Sequence, residues 1–138
     1  MGIRRRMVVV TFLAAVAGLA WPTIGSPAAM AETQQAACTA DGTALAIGAE
    51  DKKFDKDCLA VPPEQAFTIE FDNRDLARGH NVAIYDTADG NNKELFKGEV
   101  IRGPSKTTYS VPAQAKGTYE FVCDPHAETM RGTFIVGP

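Results

Sequence analysis

Past about residue 43 the chain is written in short runs where large apolar residues alternate with polar ones. Phe67, Ile69 and Phe71 fall on one side of a pleated strand, with Thr68 and Glu70 on the other. Val82 with Ile84, and Tyr119 with Phe121, repeat the same period of two. The runs predict strands at Ala44–Ile47, Ala66–Phe71, Asn81–Tyr85, Lys106–Val111, Thr118–Val122 and Thr133–Val136. Pro62-Pro63, Arg78-Gly79, Asp89-Gly90-Asn91-Asn92, Gly103-Pro104 and Lys116-Gly117 punctuate them as turns. No segment of 39–138 holds an apolar repeat of helical period and length. Thr87–Phe96 reads as a loop with a short helical turn. The pattern therefore predicts a single all-β sandwich over residues 43–138, preceded by a loose, small and polar arm at 32–42.

The first 31 residues follow a different rule. Arg4, Arg5 and Arg6 precede the uncharged run Met7–Trp21, which Pro22 and Gly25 soon interrupt. That run is shorter than the roughly 20 apolar residues that span a bilayer. Small residues, Ala29 and Ala31, then stand at −3 and −1 before Glu32. A basic start, a short apolar middle and a small-residue exit predict a signal peptide at 1–31. The alternative is an uncleaved anchor. Arg5-Arg6 suits either a twin-arginine or a general secretory route. The expected product is extracytoplasmic (periplasm, cell envelope or secreted), with no membrane span after cleavage.

Charge narrows the field. Residues 32–138 hold 11 Lys and Arg against 17 Asp and Glu, a net charge of about −6, so no nucleic-acid partner is expected. About 107 residues bury one core and leave no room for a second, substrate-enclosing domain. No enzymatic activity is expected.

Export changes the meaning of the cysteines, because spare thiols pair in an oxidising compartment. Cys38 and Cys58 are the natural disulfide, a staple for the N-terminal arm that contributes about 3 kcal/mol in the chain-entropy model. Cys123 is left over. It lies in CDPHAETM with His126 and Met130, and the remaining histidine, His80, opens the run HNVAIYD. After removal of the leader these are the sole histidines, the odd cysteine and the sole methionine. Two imidazoles, a thiolate and a weak thioether suit a type 1 copper centre. Zinc competes, with Asp124 or Glu128 as a further donor, and so does a Cys–His catalytic pair.

GHNVAIYD followed by GTYEFVCDPHAETMRGTFIV resembles the cupredoxin family, and within it small copper proteins of the plastocyanin, pseudoazurin and amicyanin type. The resemblance covers roughly 43–137 and implies a Greek-key β-sandwich. It also implies one copper ion (Cu+/Cu2+) held by His80, Cys123 and His126 with Met130 on the axis. By the same resemblance Asn81 braces the ligand loop, Pro125 precedes the second histidine and Gly132 is the small residue after the methionine. Three residues separate His126 from Met130, between the two of amicyanins and the four of plastocyanins. Val122 replaces the surface tyrosine that plastocyanins carry before the cysteine. The function implied is one-electron transport by a monomer, with His126 as the exit. The partners implied are redox proteins: a c-type cytochrome, a dehydrogenase or a copper enzyme. Copper delivery, storage or protection is the alternative use of the same residues, and a metal-free interaction module is a third.

Overall fold

A computed structural model describes residues 38–138. The leader, its cleavage point and the first half of the arm lie outside the described residues. Among the described residues no helix is long and apolar enough to cross a membrane.

Among the described residues, eleven strands form two main sheets and one short ribbon. The strands are β1 (Ala44–Glu50), β2 (Lys53–Phe54), β3 (Cys58–Val61), β4 (Phe67–Asn73), β5 (Gly79–His80), β6 (Ala83–Asp86), β7 (Lys93–Lys97), β8 (Ile101–Arg102), β9 (Ser105–Val111), β10 (Gly117–Val122) and β11 (Arg131–Val136). One sheet runs β2-β1-β4-β9 and the other β3-β11-β10-β6-β7, while β5 pairs with β8 alone. The β1–β4 and β3–β11 ladders are parallel and the rest antiparallel. The six expected strands are all present within a few residues, and the all-β sandwich holds.

The period-two pattern explains the core. In β4, Phe67, Ile69 and Phe71 point inward with at most 3 % of their surface exposed. They meet Leu59, Val61, Phe134 and Val136 of the facing sheet in one buried cluster. Phe67 and Phe134 close the gap between sheets with ring centroids 5.4 Å apart, a spacing at which aromatic pairs gain beyond their area burial. Cys38 and Cys58 form the disulfide, which ties the N-terminal segment to the start of β3.

Besides the unannounced strand β3, three details differ from the reading of the pattern. Thr87–Phe96 contains no helical turn. Lys93–Lys97 is an edge strand antiparallel to β6, carried past a register shift at Ile84/Tyr85. Its Lys and Glu side chains suit an edge, where charge discourages pairing with another chain. The run HNVAIYD is not one strand, because His80 belongs to the β5–β8 ribbon and the main-sheet strand begins at Ala83. Arg78-Gly79 is not a turn, since Gly79 opposes Arg102 in that ribbon. The break lets His80 leave the sheet and turn toward the end of the sandwich.

Candidate metal centre

The chemistry-bearing side chains meet at the end of the sandwich where β10 stops and β5 begins. Cys123 follows the last residue of β10 and is fully buried. A single turn of 3-10 helix, Asp124–His126, carries the chain away, with Pro125 in its first turn. Proline suits that position because the N–H it lacks has no helical partner there. The turn is closed by His126 N–H to the Cys123 carbonyl (2.9 Å), and the loop by Met130 N–H to the His126 carbonyl (2.9 Å) and Cys123 N–H to the Met130 carbonyl (2.9 Å). Cys123 and Met130 are thus held at the base of one loop, with Met130 1 % exposed in the same apolar cluster as Cys123.

His80 Nδ1 lies 3.5 Å from Cys123 Sγ, and His126 Nδ1 3.7 Å from the same sulfur. The donor atoms of the three residues all fall within 4.8 Å of one another. With metal–sulfur and metal–nitrogen bonds of about 2.3 and 2.0 Å, trigonal to tetrahedral angles separate the two donors by about 3.5–3.7 Å. The sulfur–nitrogen spacings match a cage for one first-row ion. Asp124 is drawn away from the role of an added zinc ligand, because its carboxylate is occupied by Asn81, Tyr85 and Lys97. Glu128 is exposed on the loop.

The protonation balance follows from position. Burial pushes the Cys123 thiol up, partly opposed by the backbone N–H groups of Asn81 and His126 aimed at the sulfur. A bound cation reverses that preference and holds the thiolate. Burial, and then the neighbouring His80, Lys52 and Arg78, lower the pKa of His126 and favour the neutral ring that a metal needs.

Asn81 is buried and ties both sides of the site together. Its Oδ1 accepts the Asp124 N–H (2.9 Å), and its Nδ2 donates to Asp124 Oδ2 (2.7 Å) and to the Gly98 carbonyl (2.9 Å). Tyr85 adds a hydroxyl donated to Asp124 Oδ1 (2.8 Å). Gly132 is required by a close approach: a Cβ there would enter the Phe121 ring and the Asp57 carbonyl.

Two residues with no motif to announce them complete the surroundings. Asp75, 7 % exposed, places Oδ2 2.7 Å from His80 Nε2. Burial alone would raise its pKa, but hydrogen bonds from the Lys52 amide, His80 and the Asp51 amide outweigh it and hold Asp75 at about 2. Asn73, fully buried, accepts the Asp75 N–H at Oδ1 (3.0 Å) and donates to the carbonyls of Arg78 and Ile101 (2.9 Å each).

An all-β sandwich with a buried cysteine flanked by two imidazole nitrogens at one end defines a small metal-binding class. A cupredoxin-like domain model matches residues 13–136, and the chain belongs to that family. Among solved structures it is similar to a dithionite-reduced auracyanin from Roseiflexus castenholzii, at 22 % identity and TM-score 0.60 over 72 % of this chain and 100 % of that one. Auracyanin A, a "blue" copper protein from Chloroflexus aurantiacus, matches at 24 % identity and TM-score 0.60, over 70 % and 99 %. A reduced Cu(I) form of a proline-to-glycine amicyanin variant matches at 27 % identity and TM-score 0.50, over 67 % and 81 %. Comparison with the curated proteins finds no significant match.

Proposed function

We propose that this chain is an exported type 1 copper protein that carries single electrons between redox partners. The observation that carries the reading is the convergence of His80 Nδ1, Cys123 Sγ and His126 Nδ1 at one end of a rigid sandwich. Bound there, copper supplies a one-electron couple. The residues supply the rest. His80, Cys123 and His126 would hold the ion, with buried Met130 as a weaker thioether donor beside them. Asn81 anchors the Cys123–Met130 loop to the strand side, so the donors keep their places in both oxidation states. Four protein donors leave no open position for a substrate, which favours a carrier over an enzyme. Of the three donor residues His126 alone is not fully buried, and it is the exit for the electron. The match to amicyanin and auracyanin structures, with "blue" copper and Cu(I) in their descriptions, supports the same reading. Partners are then redox proteins with exposed centres, met outside the cytoplasm by a monomer freed of its signal peptide.

Titration of the purified chain with Cu(II), followed by reductant and oxidant, tests the proposal. An intense visible band saturating at one copper per chain, bleaching and returning reversibly, is the expected result. Cys123→Ala should abolish the band entirely. Persistence of the band in that variant removes the thiolate from the centre, and loss of copper on reduction points to copper handling instead of transport.

A further inference from the structure

Asp75 is held more firmly than a turn residue needs to be. Its Oδ1 accepts the Asp51 N–H at 2.7 Å, and its Oδ2 accepts the Lys52 N–H at 3.0 Å and meets His80 Nε2 at 2.7 Å. The two amides come from consecutive residues with φ of 52° and 55°. Such left-handed backbone is uncommon outside glycine and is strained. Here it aims successive N–H groups at one anion, the geometry of an anion-binding nest. From the other side Asn73 receives the Asp75 N–H and fastens itself to the carbonyls of Arg78 and Ile101. Gly103 sits against this bracket so tightly that a Cβ would run into Asn73 Oδ1 and the Asp75 carbonyl. The β1–β2 turn, the β4–β5 loop and the β8 ribbon all converge on one carboxylate, and that carboxylate touches one ring nitrogen of His80.

Both Asp75 oxygens already accept backbone N–H groups, Oδ1 from Asp51 and Oδ2 from Lys52, so the side chain meets the ring as an acceptor. Its contact with Nε2 therefore places the ring hydrogen there and leaves a lone pair on Nδ1, the nitrogen that faces Cys123 Sγ. Resting on the copper reading above, we propose that Asp75 is the positioning residue of the centre. Through the His80 Nε2–H it fixes the tautomer and orientation of the ring in the absence of metal, and its buried negative charge favours the more highly charged copper ion. Carboxylates behind metal-ligating histidines work this way, and their removal typically costs about 10- to 100-fold in metal affinity.

The test has two arms. Nitrogen NMR of 15N-histidine-labelled wild-type protein, metal-free and Cu(I)-loaded, should show His80 protonated at Nε2, with slowed solvent exchange, and without a proton at Nδ1 in both states. A mixed or Nδ1–H tautomer in the metal-free protein overturns the proposal. Asp75→Asn keeps an acceptor and removes the charge. It should lower Cu(II) affinity about 10- to 100-fold and Cu(I) affinity less, so that the reduction potential rises by about 59 mV for each tenfold difference. A variant that loses only thermal stability, with tautomer and potential unchanged, reduces Asp75 to a structural role and overturns the proposal. Should Asp75→Asn fail to fold, the wild-type tautomer decides. Absence of copper binding by the wild type overturns the reading of the centre itself, and the metal-free tautomer then decides the positioning role alone.

Discussion

The two histidines of this protein sit within 4.8 Å of each other, ring centre to ring centre, yet they belong to different regimes. His80 lies on a ribbon strand with none of its surface exposed, and its far nitrogen meets a buried carboxylate. His126 lies on a single 3-10 turn, partly exposed, and is secured by the backbone of its own loop. One is part of the frame and the other part of the rim. The same side chain serves as an immovable donor or as a contact with the outside, according to what stands behind it.

Glycine substitution with added imidazole separates the two most sharply. His80→Gly empties a buried site and leaves Asp75 facing a void, a loss of about 3 kcal/mol. Imidazole should not restore its copper spectrum. His126→Gly should cost less than about 1 kcal/mol, and saturating imidazole should restore the visible band. Equal rescue of both variants, or of neither, erases the distinction. Asn81→Ala comes next, because it strips the link between frame and loop and leaves the Asp124 N–H and Gly98 carbonyl without their partner. About 2 kcal/mol should be lost, read as a lower urea midpoint at unchanged slope. Amide exchange should rise across Asp124–Thr129 while the amides of Asp51 and Lys52 stay protected. The smallest effect belongs to Met130→Leu, a swap of similar volume in the core, at less than about 1.5 kcal/mol. Copper should be retained with a raised potential, and voltammetry checks the shift. Loss of the metal would make the thioether a principal donor.

The sequence was most legible where one face of a strand is wet. Phe67–Asn73 alternates cleanly because it meets the core on one side, and it was readable. Cys58–Val61 was missed because Leu59, Ala60 and Val61 are all buried beside β11, so no alternation survives. Lys93–Lys97 was missed for the opposite reason, being a charged edge strand next to a turn-rich segment. At the site scarcity was the signal: with Cys38 and Cys58 set aside as a pair, few soft donors remain after the leader, and they lie in two short stretches. Asp75 had no such signal. Its partners stand 23 and 24 residues before it and 5 after, and only folding reveals that a loop aspartate in NRDLARGH faces inward.

The disulfide between Cys38 and Cys58 bears on how the chain matures. Three thiols allow three pairings, and two of them would consume Cys123. The native pair is separated by 20 residues, whereas Cys58 and Cys123 stand about 65 apart, which favours the native ring by about 1 kcal/mol of closure entropy in the unfolded chain. The order of the cysteines along the polypeptide thus biases oxidative folding toward the bond that spares Cys123. Once the sandwich closes, burial keeps that thiol from exchange, so the sulfur meant for an ion is withheld from an oxidant by chain connectivity first and by packing afterwards.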